Sequence, residues 1–327
     1  MSFLLIIFII FLFQYAICLK LISPCKINLF LRILGRRPNG FHDLASLFQT
    51  ISLSDEMTFS ERISLDQCDS LLCSDATLKV DDSNLVIKAL NLMRTKTGIN
   101  KYFDVSLTKK VPMQAGLGGG SGNAATAMYA FNKLCGYPAT LEQLLEWSGD
   151  IGSDITFFFS SGTAYCTGRG EILTPLSELP HSKDVYVHIF KPNAGLSTGL
   201  VFNTLDLDNL SPNKPEMLLD KFTTLGALKA SQENGMINDL EPPAYICNND
   251  LLKLKEYIQN TIDNDSSSNS NDIGGTMMSG SGTSIYTLTN GPLQTTTINQ
   301  IIEKFPDVRY FPCHFLSKEN NVESWYE

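Results

Sequence analysis

Two spacings of apolar residues alternate along the chain, and each predicts a different element. Lys26–Leu34 carries the branched, apolar run of a strand, and the segment Gly35-Arg36-Arg37-Pro38-Asn39-Gly40 reads as a turn. Leu44–Leu53 again has strand character, whereas residues 61–82 are polar and irregular. Leu85, Val86, Ala89, Leu90 and Met93 recur at helical spacing, which predicts a helix over Asn84–Thr97 with Ser83 or Asp82 as N-cap. Tyr102–Thr108 alternates as a strand does. A glycine-rich loop, Gly116–Gly120, then runs into a helix from Ser121 to Leu134, ended by Gly136 and Pro138.

The pattern continues with a short helix at Leu141–Ser148, an apolar run at Ile155–Phe159 and a strand at Gly162–Thr167. Pro175–Pro180 reads as a crossing into a second half. That half holds a strand at Val185–Phe190, helices at Lys214–Ala230 and Asn249–Thr261, and a strand at Thr283–Leu288 behind the turn Ser279-Gly280-Ser281-Gly282. Asp263–Asp272 is polar and of low complexity, and reads as a loop insertion. The mixture predicts an α+β protein with two lobes: residues 19–178, then 179–327.

The first 18 residues follow neither spacing. Met1–Cys18 has only Ser2 and Gln14 as clearly polar residues, and no charged side chain. It reads as a targeting leader whose apolar core ends on small residues such as Ala16 and Cys18, with a retained anchor or a wrongly assigned start as the alternatives.

Composition narrows the function. Of the 327 residues, 43% are hydrophobic and 18% charged, which is enough apolar material for a full core. The net charge of −9 argues against a non-specific nucleic-acid binder, because that class needs a basic surface. Eight scattered cysteines form no C-x-x-C pair, and four histidines supply no zinc cluster, so free thiols are expected.

Chemistry concentrates in a few places. In Gly116-Leu117-Gly118-Gly119-Gly120-Ser121, four glycines in five positions strip side chains from a loop that opens a helix. Such a loop can aim N–H groups and a helix dipole at one phosphate, although composition alone equally allows a flexible turn. Asp154 precedes the apolar run 155–159, and is either a helix N-cap or a general base. Lys26 interrupts an apolar strand, and is either an edge lysine or the partner of a buried carboxylate. Taken alone, His42 after the Gly40-Phe41 turn reads as a structural or exposed histidine, with a ligand contact as the alternative, and Phe202 reads as a core residue.

Taken together, five ordered segments resemble the GHMP kinase superfamily. They are Lys26-Ile27-Asn28-Leu29-Phe30-Leu31, Gly35 through Gly40-Phe41-His42, Gly116 through Ser121, Gly152-Ser153-Asp154, and Met278 through Gly282. The stretches Glu146–Glu171 and Asn238–Pro243 are similar to its plastid members. The resemblance implies a two-lobed fold with a ribosomal-protein-S5-like N-terminal lobe, a ferredoxin-like C-terminal lobe and a cleft between them. It implies ATP-dependent phosphorylation of a tertiary hydroxyl on a methylerythritol unit bearing a cytidine diphosphate, in non-mevalonate isoprenoid synthesis. Lys26 and Asp154 fall on the catalytic positions, and Asn28 would help position the substrate. Gly116, Leu117, Gly118, Gly119, Gly120 and Ser121 would hold the ATP phosphates, with Mg²⁺ arriving on the nucleotide and no dedicated protein metal site. Phe41, His42, Thr198 and Phe202 would form the cytosine pocket.

The partner implied is that small molecule, with no nucleic acid and no stable membrane association after leader removal; nothing in the sequence sets an oligomeric state. A plastid location is implied. Three residues depart from the family pattern: Gly122 for a serine, Phe41 for a tyrosine and Thr156 for a proline. Another GHMP-type kinase, or a nucleotide-binding paralogue without catalysis, are the competing readings.

Overall fold

A computed structural model describes residues 18–63, 66–264 and 272–326. Most of the leader and of the 263–272 insertion lie outside the described residues. The first lobe is built on strands β1 (Cys18–Arg36), β2 (His42–Glu61), β3 (Ser70–Cys73), β4 (Phe103–Thr108), β5 (Thr163–Gly168) and β6 (Ile172–Pro175). Its helices are α1 (Leu85–Thr97), α2 (Gly119–Leu134) and α3 (Leu141–Ser148), followed by a 3₁₀ turn at Thr156–Phe159. The second lobe holds β7 (Tyr186–Pro192), β8 (Ile273–Met278), β9 (Ile285–Thr289) and β10 (Val308–His314), with α4 (Thr198–Thr204), α5 (Pro215–Leu225), α6 (Ala227–Gln232), α7 (Glu241–Cys247), α8 (Asn249–Asp263) and α9 (Thr295–Lys304). The architecture is the expected α+β one.

The β1–β2 hairpin is the spine of the molecule. β2 pairs with β1 along its length, with β5 through Leu44–Gln49 and with β4 through Glu56–Glu61. β1 is twice the length its apolar core suggests, because the polar residues on either side of that core pair as well. Register shifts at Pro24/Cys25, Asn28/Phe30 and Ile33/Gly35 bend it. A proline lacks an N–H for the ladder, so the first break falls where the strand cannot pair regularly. The polar stretch 61–82 also contains β3, which pairs parallel to β4.

The second sheet runs β10-β7-β9-β8. Residues 23–33 of β1 are buried on both faces. Cys25, Ile27 and Leu29 pack with Val187, Ile189, Tyr286 and Leu288 of the second sheet, so one strand serves two cores. On the other side α1 and α2 cover the first sheet, with Ala124, Ala127, Met128 and Phe131 buried beneath α2.

Helix boundaries follow local chemistry. Asn84, not Ser83 or Asp82, caps α1: its Oδ1 accepts from the Val86 N–H at 2.9 Å, while the Asp81 carboxylate accepts from Ser83 instead. α3 occupies its predicted span behind a Thr140/Gln143 capping box. The helix predicted at 214–230 breaks into α5 and α6 at Gly226 (φ +80°), where a Cβ would stand 2.2 Å from the Pro180 carbonyl oxygen.

Candidate active site

A cavity of about 710 Å³, the size of a small-ligand site, is bounded by β1, β2, the glycine-rich loop, α4 and the Ser279–Gly282 turn. Lys26 reaches it from β1. Residues 26 and 28 share one face of the strand, opposite the apolar face that packs on the second lobe. Lys26 is only 4% exposed, so its ammonium needs partners. It donates to Asn28 Oδ1 at 2.8 Å, lies 3.7 Å from the Asp154 carboxylate and sits 4.3 Å from the centre of the Phe48 ring. The edge-lysine alternative is thereby closed.

Asp154 stands on the turn after α3. Ile155, not Asp154, occupies the cap position of the following 3₁₀ turn, and no side chain caps it. The side chain of Asp154 is about one-third exposed and faces the cavity. Phe157, Phe158 and Phe159 behind it are fully buried and anchor the turn.

The glycine-rich loop comes against this pair. The Lys26 N–H donates to the Leu117 carbonyl at 2.9 Å. Gly118 (φ +66°) caps α2 without a side chain, and the first intrahelical bond runs from the Gly122 N–H to the Gly118 carbonyl. The N–H groups of Gly119, Gly120 and Ser121 therefore lack helical partners and point out of the helix start, the arrangement that receives phosphate. A Cβ on Gly118 would lie 3.2 Å from the Lys26 side chain.

Ser279–Gly282 backs the loop. Ser279 Oγ donates to the Gly116 carbonyl at 2.9 Å, and a Cβ on Gly116 would stand 2.0 Å from the Ser279 carbonyl oxygen. Asn238 Nδ2 in turn donates to the carbonyls of Met278 and Gly280, both at 2.8 Å. Asp239 accepts from Arg32 at 2.8 Å and from the Ile33 N–H at 2.7 Å, which ties this segment to β1.

At the far end of the cavity, His42 stacks on Phe202 with ring centroids 5.1 Å apart. Burial, and then the Arg36 charge, hold the His42 imidazole below its usual range, so it is neutral at pH 7 and offers one donor and one acceptor. Thr198 Oγ1 lies 2.9 Å from Ser281 Oγ, joining α4 to the Ser279–Gly282 turn. Phe41 is 55% exposed, and its ring partner is the Arg169 guanidinium at 5.1 Å. Lys26, Asn28, Gly116 through Ser121, Asp154, Thr198 and Phe202 all line the one cavity; His42 meets it through Phe202 and Phe41 through Arg169.

Two departures have local reasons. A Cβ on Gly122 would stand 2.3 Å from the Pro24 carbonyl oxygen, so position 122 faces β1 and not the mouth of the loop. Thr156 Oγ1 pairs with Ser148 Oγ at 3.1 Å and ties the Asp154 turn to the end of α3.

Sequence reasoning did not single out several residues that line the cavity or stand behind its lining. Ser46 accepts from Asn28 Nδ2 at 2.8 Å. Lys109 forms an ion pair with Asp55, which is fully buried and also accepts from the Lys110 and Val111 N–H groups at 2.7 and 2.8 Å. Arg169 lines the cavity from the β5–β6 turn. Only Arg169 had a local signal, a cation flanked by glycines behind a strand.

The comparisons with known proteins agree with this geometry. Residues 84–162 match the family model described as GHMP kinases N terminal domain. The chain is 48% identical over 267 residues to the chloroplastic 4-diphosphocytidyl-2-C-methyl-D-erythritol kinase of rice, Oryza sativa subsp. japonica. That alignment covers 82% of this chain, which spans 63% of the rice protein's length. It is 44% identical to the enzyme of the same name from Arabidopsis thaliana, over 94% of this chain and 76% of that protein. The chain belongs to the 4-diphosphocytidyl-2-C-methyl-D-erythritol kinase family. A crystal structure of a 4-(cytidine 5'-diphospho)-2C-methyl-D-erythritol kinase superposes with a TM-score of 0.71 at 25% identity, covering 91% of this chain and 99% of that one. The family's two-lobed GHMP kinase fold is thus the fold of this chain.

Proposed function

We propose that this chain phosphorylates the 2-hydroxyl of 4-diphosphocytidyl-2-C-methyl-D-erythritol with ATP, giving the 2-phosphate and ADP in non-mevalonate isoprenoid synthesis. The observation that carries the reading is the Lys26–Asp154 pair, 3.7 Å apart, in front of a helix start with free N–H groups. The N–H groups of the 118–121 segment hold the nucleotide phosphates. The cytosine ring enters beside Phe202 and His42, with Thr198 on the same wall.

Asp154 orients the tertiary hydroxyl and takes its proton as the oxygen attacks the γ-phosphorus. The bond from that phosphorus to the bridging oxygen breaks, and ADP leaves. Lys26 stabilises the charge that develops on the transferring group and the attacking oxygen. Such a transfer asks the protein mainly for positioning and electrostatics.

Among the described residues no cluster of three or more histidine, cysteine, aspartate or glutamate side chains could hold a metal ion. Among the described residues Asp154 is the one carboxylate lining the cavity. That donor set fits Mg²⁺ carried on nucleotide phosphates and water, with the Ser121 hydroxyl within the same loop as a further oxygen donor. When bound, Mg²⁺ would neutralise phosphate charge. The location is the plastid, supported by relatives named as chloroplastic. No helix among the described residues is long and apolar enough to cross a membrane.

The test is ADP release with ATP, Mg²⁺ and the cytidylyl substrate. Release that requires the substrate is expected from the wild type. Asp154→Asn should lower kcat by at least about 100-fold, the scale of lost proton transfer, with ATP affinity nearly unchanged. Lys26→Ala should abolish turnover as well. Activity on mevalonate or homoserine without activity on the cytidylyl substrate would reverse the reading.

A further inference from the structure

The proposed substrate poses a charge problem. Its two anionic phosphates lie between the cytosine and the hydroxyl to be phosphorylated, so they must sit between the His42–Phe202 stack and the Lys26–Asp154 pair. Among the described residues, three cations line the cavity: Lys26, Lys109 and Arg169. Lys26 is committed to Asp154 and Asn28. Lys109 is committed to the buried Asp55, on the far side of the glycine-rich loop.

Arg169 is differently placed. Gly168 before it pairs with Leu44, two residues from His42. Gly170 after it has its Cβ position 3.5 Å from Asp154 Oδ1. The β5–β6 turn therefore bridges the two ends of the substrate, and Arg169 is the side chain it offers between them. The guanidinium lies over the face of Phe41 at 5.1 Å, which holds the cation without neutralising it. Its carboxylate contact, Nε to Glu171 Oε1 at 3.6 Å, is long, and the side chain is 39% exposed, so the charge stays available to a ligand.

We propose that Arg169, braced by Phe41, binds the diphosphate of the cytidylyl substrate, and that this is what the exposed Phe41 ring is for. The inference rests on the reading of the cavity given above. It assigns Arg169 to substrate affinity and not to the chemical step. A guanidinium pairs with two phosphate oxygens at once, which a lysine cannot do.

The experiment is calorimetric binding of CDP and of cytidine to the full chain, beside steady-state kinetics, for wild type, Arg169→Gln, Arg169→Lys and Phe41→Leu. Wild type should bind CDP more tightly than cytidine. Arg169→Gln should weaken CDP by about tenfold or more, the range of one charge-assisted bidentate contact, and leave cytidine unchanged. KM for the cytidylyl substrate should rise by a similar factor, with kcat and KM for ATP within about twofold. Arg169→Lys should recover part of the loss, and Phe41→Leu should lie between wild type and Arg169→Gln. An unchanged ratio of CDP to cytidine affinity in Arg169→Gln overturns this inference alone. Wild-type protein that binds neither CDP nor cytidine overturns the cytidine pocket, and this inference with it.

Discussion

Lys26 illustrates how much a single buried charge asks of its neighbours. Asn28 presents Oδ1 to the ammonium at 2.8 Å and gives one amide hydrogen to Ser46 at 2.8 Å, while Ser46 Oγ donates to the Phe30 carbonyl at 2.5 Å. The resemblance suggests that Asn28 positions substrate, yet both ends of its carboxamide are already engaged with the protein. The contact the structure shows is with Lys26, whose ammonium it holds in place. Asn28→Ala is expected to lower kcat by roughly tenfold while KM for ATP stays put, and to cost about 1–3 kcal/mol of stability by leaving buried polar groups unpaired. Steady-state kinetics and urea unfolding on the same variant check both; a rise in KM for the cytidylyl substrate with kcat intact would return Asn28 to substrate contact. At this scale Lys26 and Asp154 were legible because a charge beside an apolar run demands an explanation. Arg169 and Ser46 were not, because their meaning depends on neighbours distant in sequence.

Elements were legible where a local rule dominates. α1 and α3 follow helical spacing and cap chemistry, whereas α2 opens inside the glycine run at Gly119, two residues before the expected Ser121. β8, with Gly274 and Gly275, lacks the alternation that marks a strand, and β10 contains Pro312, which suits an edge. Neither is read from periodicity, because their pairing with β9 and β7 makes them strands. The second sheet also carries a pH dependence of its own. His188 on β7 is fully buried, with Nδ1 2.7 Å from the Tyr310 hydroxyl of β10 and Nε2 2.7 Å from Thr289 Oγ1 of β9. Burial pushes its pKa down to about 4. The unfolded chain takes up this proton near its ordinary value while the folded chain refuses it. Folding stability is therefore undiminished above pH 6.5 and falls as pH drops toward 4, by about 1.4 kcal/mol per pH unit for one proton. An NMR titration should show His188 neutral to about pH 4. His188→Phe removes both bonds but also the titration, so its stability deficit should be smaller at pH 5 than at pH 7.5, measured by urea unfolding. An equal deficit at both values would mean that the imidazole charges freely in the folded state.

The two lobes are joined more than once, and that sets how the whole molecule holds its cavity. The chain leaves the first sheet at β6, builds the second sheet, and returns after β10 to the first lobe. There Trp325 stacks on Tyr129 of α2 at 4.7 Å between ring centroids and meets Phe159 edge-on at 5.9 Å. Its indole N–H donates to the Ile22 carbonyl of β1 at 2.9 Å. One side chain near the end of the chain thus touches the helix behind the glycine-rich loop, the strand that carries Lys26, and the 3₁₀ turn that follows Asp154. Periodicity did not reveal this, since a lone tryptophan in a polar tail has no pattern to belong to. Trp325→Ala should cost about 3–5 kcal/mol, as large-to-small changes of buried aromatics do. The midpoint of urea unfolding should fall with little change in its slope, because the surface exposed on unfolding is nearly the same. The catalytic consequence separates this residue from a purely local core position. Phe159 and β1 lose their common support, so kcat should fall several-fold in folded protein well below the unfolding midpoint, while Trp325→Phe, which keeps the stacking and loses the bond to Ile22, should recover most of both. Lost stability with unchanged kcat would confine the C-terminal return to holding the first lobe together, and would leave the Lys26–Asp154 geometry to β1 and the Asp154 turn alone.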